Sequence, residues 1–293
     1  MASDRQWAGS TYGGNRLHRS LVNSLKFMDV RLVYAGAALF VIPFCLIFNR
    51  SRKTSWRFYR DRMGCGRARA AWMVYLNHLR FAEVIVDRFA MYAGKSFDVR
   101  VEGVDHFNTL AAGEEGFIQL SSHIGNYEMA GYSLVSDRKV INAVVYEGEK
   151  ESVMQGRSSM FERTNIHMIT LRSDMSHLFE IDRAICEGNI VSFPSDRAMG
   201  ETRTVECDFL GAQAGFPMGP FSVAAMRGLK VLAVNVMKTG AKKYTIYVTP
   251  LPYDTSLPRR QQVADLSRAY VAELEKRVRQ YPEQWFNFFD FWK

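Results

Sequence analysis

The residues best suited to chemistry are His123 and Glu128, which lie five positions apart after a short apolar run. The run Phe117–Leu120 is typical of a buried strand, and apolar residues return at helical spacing from Tyr127. On one continuous helix a gap of five residues would separate the two side chains by about 140°, so we expect His123 in the turn before the helix. A carboxylate that holds one imidazole nitrogen leaves the other able to take a proton from a hydroxyl or an amine. The pair therefore predicts a general base with its orienting acid, as in acyl transfer.

Other kinds of chemistry find less support in the sequence. Ser121 and Ser122 offer a serine nucleophile and a covalent acyl-enzyme, but no Gly-x-Ser-x-Gly elbow occurs in the chain. Direct attack by the acceptor is the simpler interpretation. The sequence has no His-Glu-x-x-His, no close Cys/His cluster, no Walker loop and no Gly-x-Gly-x-x-Gly, so we predict neither a metal nor a cofactor.

Three separated segments resemble one family of enzymes. Residues 122–128 (Ser-His-Ile-Gly-Asn-Tyr-Glu) resemble the His-x4-Asp/Glu motif of glycerolipid-type acyltransferases, in the form found in lipid A biosynthesis (lauroyl/myristoyl) acyltransferases. Residues 194–200 resemble that family's Pro-x-Asp-Gln-x-x-Gly segment, except that Arg197 stands where Gln is usual. Residues 281–285 (Tyr-Pro-Glu-Gln-Trp) are similar to its closing Pro-Glu-Gln-aromatic signature.

The resemblance implies a membrane-bound acyltransferase that uses no cofactor. Its donor would be a fatty acyl thioester on acyl carrier protein or coenzyme A. Its acceptor would be a hydroxyl or amine of a membrane lipid or glycolipid, as in lipid A biosynthesis, although the change at Arg197 leaves another specialised or aminoacyl lipid open. His123 and Glu128 would be catalytic. The substrate-binding residues would be Gly125, Asn126, Arg163, Asp196 and Arg197.

Several of these residues have a plainer interpretation. Gly125 is either a turn residue or a position where the backbone approaches the thioester, with helix N–H groups facing a developing oxyanion. Asp196 and Arg197 either bind the acceptor and steady charge or form an ion pair in a solvated turn. Arg157 and Arg172 compete with Arg163 for the role of the acceptor-binding arginine.

The predicted fold is α/β, a mixed sheet flanked by helices in a glycerolipid acyltransferase-like sandwich. Strand and helix patterns alternate along the chain, which favours such a sheet. Helices are expected over residues 127–135 and 152–164, the first of them directly after His123. We divide the chain into a basic N-terminal region, 1–70, and a catalytic domain, 71–293.

The N-terminal region combines positive charge with an apolar run. Residues 1–70 carry 13 Lys/Arg and 3 Asp/Glu, whereas the whole chain has a net charge of +8. The 17 residues Leu32–Phe48 contain no charge, which is at the short end for a spanning helix. We predict a membrane anchor at about 32–48, either spanning or lying in one leaflet, with a basic collar that follows it. A buried core helix is the alternative.

The location and partners follow from the same pattern. Basic residues flank both sides of the apolar run, but the denser cations after Phe48 favour a catalytic domain on the cytoplasmic side, and the resemblance implies the cell inner membrane. The four cysteines form no close pair, which suits a reducing compartment. A nucleic-acid binder should carry basic and aromatic residues along the whole chain, so we expect a membrane surface as partner and no nucleic acid. A non-catalytic lipid-binding protein of the same fold is a further alternative.

Overall fold

The computed structural model describes residues 15–49, 51–146, 165–172, 174–198 and 202–292. Within these residues, a seven-stranded sheet has the order β1-β9-β8-β2-β5-β3-β4, and β6 and β7 form a separate hairpin. The strands are β1 Asp98–Glu102, β2 Phe117–Ser121, β3 Ile141–Tyr146, β4 Ile166–Leu171, β5 Ile190–Pro194, β6 Thr204–Phe209, β7 Ala212–Pro217, β8 Val231–Gly240 and β9 Lys243–Pro250.

Within the described residues, helices cover the sheet and form the N-terminal segment that starts at residue 15. They are α1 Asn15–Phe27, α2 Val30–Phe48, α3 Ser51–Arg57, α4 Arg67–Tyr92, α5 Val104–Ala112, α6 Ala130–Ser133, α7 His177–Cys186, α8 Met218–Arg227 and α9 Arg259–Gln280. Helix α2 contains a stretch of wider π turns over Ala37–Val41. The predicted α/β fold with helices around a mixed sheet is confirmed. The predicted helix 152–164 lies outside the described residues.

The sheet is parallel at its centre and antiparallel towards one edge. Strands β8, β2, β5, β3 and β4 run parallel to one another, while β9 runs antiparallel to β8 and carries β1 beside it. Side chains of β2 alternate between two core clusters, with Ile118 and Leu120 in one and Phe117 in the other. Burial on both faces explains why this strand is an uninterrupted apolar run.

The register of β2 and β5 sets the position of the site. Ser121 pairs with Pro194 at the carboxyl ends of the two strands. His123 and Asp196 each follow two residues later, so the fold brings them to the same edge of the sheet. Ligands of open α/β sheets bind at this carboxyl edge.

The segment after His123 differs from the predicted helix. It forms a 3-10 turn over Tyr127–Met129 and a single α turn, α6. Gly131 and Ser133 are weak helix formers, so apolar spacing alone does not sustain a longer helix here.

Helix α2 packs on α4 through one face only. Val30, Tyr34, Ala37 and Ile42 are buried. The helix is 19 residues long and apolar enough to cross a membrane, yet only 22% of the stretch is buried. Its outer face leaves large apolar side chains exposed, namely Leu32, Leu39, Phe40, Val41, Phe44, Ile47 and Phe48.

Candidate active site

His123 and Asp196 form a hydrogen-bonded pair with two contacts. The imidazole Nδ1 lies 2.7 Å from Asp196 Oδ1, and the backbone N–H of His123 donates to Asp196 Oδ2 at 2.9 Å. An ionised carboxylate can only accept, so Nδ1 carries the proton, and in the neutral ring Nε2 is the nitrogen with the lone pair. The His123 side chain is 26% exposed and that of Asp196 is 1% exposed. The pair therefore has a buried acid that orients a partly accessible base.

The surroundings of Asp196 keep its carboxylate ionised. Burial alone would raise its pKa, but the charge and hydrogen bonds of His123 and the charge of Arg197 outweigh burial, so the pKa lies below the ordinary value. Asp196 thus remains an acceptor at neutral pH and stabilises an imidazolium on His123.

Asp196, and not Glu128, is the carboxylate bonded to Nδ1 of His123, which corrects the predicted pairing. The Glu128 carboxylate lies 3.1 Å from Arg88 Nε and accepts a hydrogen bond from the Tyr92 hydroxyl at 3.2 Å. Residues 124 and 125 form isolated bridges with Trp285 and Val236, so the helical turn starts only at Tyr127. Glu128 is then carried against α4, where it is buried.

Glu128→Gln is expected to weaken folding without moving the pH dependence of catalysis. The change removes the charge that pairs with Arg88, and we expect it to lower the free energy of unfolding by about 1–3 kcal/mol. The acid limb of the pH–rate profile should stay in place, because Asp196 is the acid bonded to Nδ1. Chemical denaturation and the pH profile of acyl transfer check both parts. A shift of the acid limb to lower pH in Glu128→Gln would instead assign Glu128 the orienting role.

Gly125 meets a steric requirement of the turn. Its φ is +62°, and a Cβ at this position would lie 1.8 Å from the carbonyl oxygen of Val236. Its N–H donates to the Gln284 carbonyl, and the N–H of Asn126 donates to Val236. With the His123 N–H on Asp196, these three amides are bonded within the protein. These three amides are therefore not oxyanion donors, and such a role for the helix N–H groups that follow stays a prediction.

The other predicted binding residues lie in different surroundings. Asn126 is 1% exposed, and its side chain lies beside the Tyr244 hydroxyl, beneath the turn. Arg197 donates to the Phe286 carbonyl at 2.6 Å, and its guanidinium lies over the Phe289 ring. Burial lowers the pKa of Arg197. Both residues therefore lie within the protein, and the charge of Arg197 acts on Asp196 of the dyad.

Of the three candidates for the acceptor-binding arginine, the structure describes one. Arg163 and its rival Arg157 lie outside the described residues. Arg172 forms an ion pair with Glu180 at 2.7 Å. A role for Arg163 in binding the acceptor or the oxyanion therefore stays a prediction.

The segment Gln284–Phe286 braces the turn that holds His123, a contact that sequence reasoning missed. Trp285 forms an antiparallel bridge with Ile124, Gln284 accepts from the Gly125 N–H, and the Phe286 N–H donates to the His123 carbonyl at 3.1 Å. The matching signature at residues 281–285 was visible in the sequence, but nothing in it indicated pairing with residues 160 positions away.

Comparison with known proteins adds the family. A sequence profile of the bacterial lipid A biosynthesis acyltransferases matches residues 79–293. The chain belongs to this family. The family predicted from the three motifs is thereby confirmed, and the match includes the dyad and the brace.

The individual relatives of this acyltransferase family member have low sequence identity to it. Phosphatidylinositol mannoside acyltransferases from two strains of Mycobacterium tuberculosis are 26% and 25% identical, over 65% of this chain and 59% of their own length. Among solved structures, the 1-acyl-sn-glycerophosphate acyltransferase PlsC from Thermotoga maritima aligns with a TM-score of 0.40 and 16% identity, covering 92% of this chain and 98% of that one.

Proposed function

We propose that the protein transfers a fatty acyl chain from an acyl thioester to a hydroxyl or amine of a membrane lipid or glycolipid. The observation that carries this proposal is the His123–Asp196 pair at the carboxyl edge of the sheet in a member of an acyltransferase family. The names of the mycobacterial relatives specify a glycolipid acceptor, which supports that class. The donor is acyl carrier protein or coenzyme A. A lipid A precursor is a second acceptor, favoured by the family itself.

The geometry suits direct attack by the acceptor. His123 Nε2 removes the proton of the acceptor O–H or N–H as that atom attacks the thioester carbonyl. The new bond forms, the tetrahedral intermediate collapses, and the C–S bond breaks. The thiolate that leaves takes the proton from the imidazolium, which returns His123 to its neutral form. Asp196 holds the ring and stays ionised throughout.

The developing oxyanion requires donors other than the amides of residues 123, 125 and 126. We propose Arg163 for this role, on the resemblance alone. Gly125 and Asn126 shape the turn, and Arg197 stabilises the carboxylate end of the dyad.

Acyl transfer by purified protein tests the function. Protein in detergent receives a total lipid extract and radiolabelled acyl thioester, in separate arms with acyl carrier protein and coenzyme A, beside His123→Asn. We expect the wild type alone to label a lipid, which mass spectrometry then identifies. A purified wild type that binds lipid but labels none, even with lipids from its native organism, would favour the non-catalytic lipid-binding alternative.

We also propose that α2 lies in one leaflet of the inner membrane, on the cytoplasmic side. The Tyr34 hydroxyl bonds to Asp87 of α4, and the Tyr75 hydroxyl of α4 donates to the Ala38 carbonyl at 3.0 Å. A helix that crossed a core of about 30 Å would have to leave these partners or draw α4 in with it. The exposed apolar face is followed by exposed cations that suit anionic head groups. They are Arg52, Lys53, Arg57, Arg60, Arg67 and Arg69.

The double variant Phe40→Glu/Phe44→Glu is expected to release the protein from membranes. Both rings are more than 60% exposed, so replacing them should change the free energy of unfolding little. Their apolar area is instead available to the bilayer. Flotation with vesicles that contain phosphatidylglycerol should show at least a tenfold loss of binding, since burial of each ring contributes about 1.5–3 kcal/mol. Phe179→Glu is the matched control, because that ring is 81% exposed on α7. Equal losses in both proteins would contradict the assignment of α2.

A further inference from the structure

A buried charged cluster lies between α2 and the sheet, apart from the dyad. Asp87 of α4 is 0% exposed and Lys238 of β8 is 4% exposed. The Lys238 ammonium donates to Asp87, to the Tyr34 hydroxyl at 3.1 Å and to the Ala241 carbonyl at 3.2 Å. The hydroxyls of Tyr34 and Tyr244 donate to the same carboxylate. The cluster thus joins α2, α4 and strands β8 and β9 of the sheet.

The backbone of Lys238 is connected through Gln284 to the turn that holds His123. Its N–H donates to the Gln284 side-chain oxygen and its carbonyl accepts from the Gln284 side-chain nitrogen, both at 2.8 Å. The Gln284 backbone carbonyl in turn accepts from the Gly125 N–H at 2.8 Å. One residue therefore contacts α2 through its ammonium and the turn of His123 through its peptide groups and Gln284.

Helix α4 makes a second connection between the same two places. Asp87 belongs to the cluster, and its neighbour Arg88 pairs with Glu128 in the turn that follows His123. Tyr244 also contacts both sides, since its hydroxyl bonds to Asp87 and lies beside the Asn126 side chain.

A buried charged cluster contributes little to the stability of the fold by itself. Apolar residues of similar volume would pack a helix on a sheet as well as a buried ion pair does, or better. What directional bonds add is a fixed geometry between the groups they join.

We propose that Lys238, with Asp87 and Tyr34, is a positioning group that fixes the membrane-facing helix α2 relative to His123. An acceptor that lies in the bilayer then meets the base at one depth and in one orientation. This inference rests on the proposed function, in which the acceptor is a membrane lipid and α2 contacts the bilayer.

The test uses Tyr34→Phe, because Lys238→Met would leave Asp87 as an uncompensated buried charge. Tyr34→Phe removes one hydroxyl and leaves Asp87, Lys238 and Tyr244 bonded to one another. Tyr75→Phe is the matched control, since it removes a bond from α4 to α2, at Ala38, that is not part of the cluster.

The first readout is transfer of the acyl group from a radiolabelled acyl thioester to a total lipid extract. The extract is supplied either as vesicles or in detergent micelles. Lipids reorient freely in micelles, so positioning matters most in vesicles. For Tyr34→Phe we expect the vesicle-to-micelle activity ratio to fall by about tenfold, mainly through the apparent KM for vesicle lipid. Tyr75→Phe should keep the wild-type ratio. A general loss of stability would lower both activities together, and an unchanged ratio would overturn the proposal.

The second readout is hydrogen exchange of the vesicle-bound protein, which does not depend on activity. Tyr34→Phe should accelerate exchange in Val30–Gly36 and in residues 123–126, whereas Tyr75→Phe should affect α2 alone. Acceleration confined to α2 in both variants would overturn the coupling. A wild type that labels no lipid would refute the proposed function, and the exchange data would still decide on the coupling.

Discussion

His123→Asn is expected to reduce acyl transfer by about 10³-fold, which is the typical contribution of a positioned general base. The asparagine side chain can keep the bond to Asp196 but cannot take a proton from the acceptor. The fold should be retained, because the His123 side chain is partly exposed and its N–H and carbonyl bonds belong to the backbone. Initial rates with saturating acyl thioester, together with circular dichroism of both proteins, give the comparison. Retention of more than a tenth of the wild-type rate would exclude His123 as the base.

Asp196→Asn is the companion variant, with an expected loss of about 10²-fold, the lower end of what general-base catalysis contributes. The double variant should be no slower than His123→Asn alone, because the two residues act as one unit. The carboxylate stabilises the imidazolium, so its removal favours the neutral ring. Activity requires the neutral ring, so the acid limb of the rate profile should move to lower pH. A limb that stays in place would contradict the dyad.

Gly125→Ala is expected to lower the free energy of unfolding by about 3–5 kcal/mol and to abolish activity. The new methyl group would overlap the Val236 carbonyl oxygen, which lies 1.8 Å from the Cβ position. That oxygen belongs to a central strand and already accepts from the Asn126 N–H, so neither backbone can move aside. Denaturant unfolding measures the loss of stability.

Gly211→Ala separates this overlap from the cost of the backbone conformation. Gly211 has a φ of +78°, and a Cβ there would meet nothing within 4 Å. We expect a loss of about 1–2 kcal/mol with activity kept, since only the left-handed conformation is then disfavoured. Equal losses at the two positions would mean that the approach of Val236 matters little.

The sequence predicted those parts of the fold that depend on local pattern. The strand before His123, the turn that holds it, and the α/β class all follow from apolar spacing and from residues that break it. The long apolar helix was also visible, since its composition is local. Its packing on α4 through Tyr34 and Tyr75 was not, because those bonds join residues far apart in the chain.

The acid partner of His123 could not be identified from residues that are close in sequence. Glu128 was favoured because it is close in sequence, yet Asp196 is 73 positions away and occupies the equivalent place on the neighbouring strand. Strand order is set by the whole core, and no pattern in β2 or β5 alone specifies that they are neighbours. Once the order is known, the equal offset of His123 and Asp196 from the paired residues Ser121 and Pro194 identifies the dyad.

The brace formed by Gln284–Phe286 has a consequence for synthesis on the ribosome. Helix α2 leaves the ribosome more than 200 residues before the brace. The turn of His123, by contrast, lacks its bonds to residues 284–286 until those residues have emerged. If α2 binds the bilayer as proposed, a nascent chain would reach the lipid surface before it could act on lipid. Activity is therefore expected only after translation has passed residue 286.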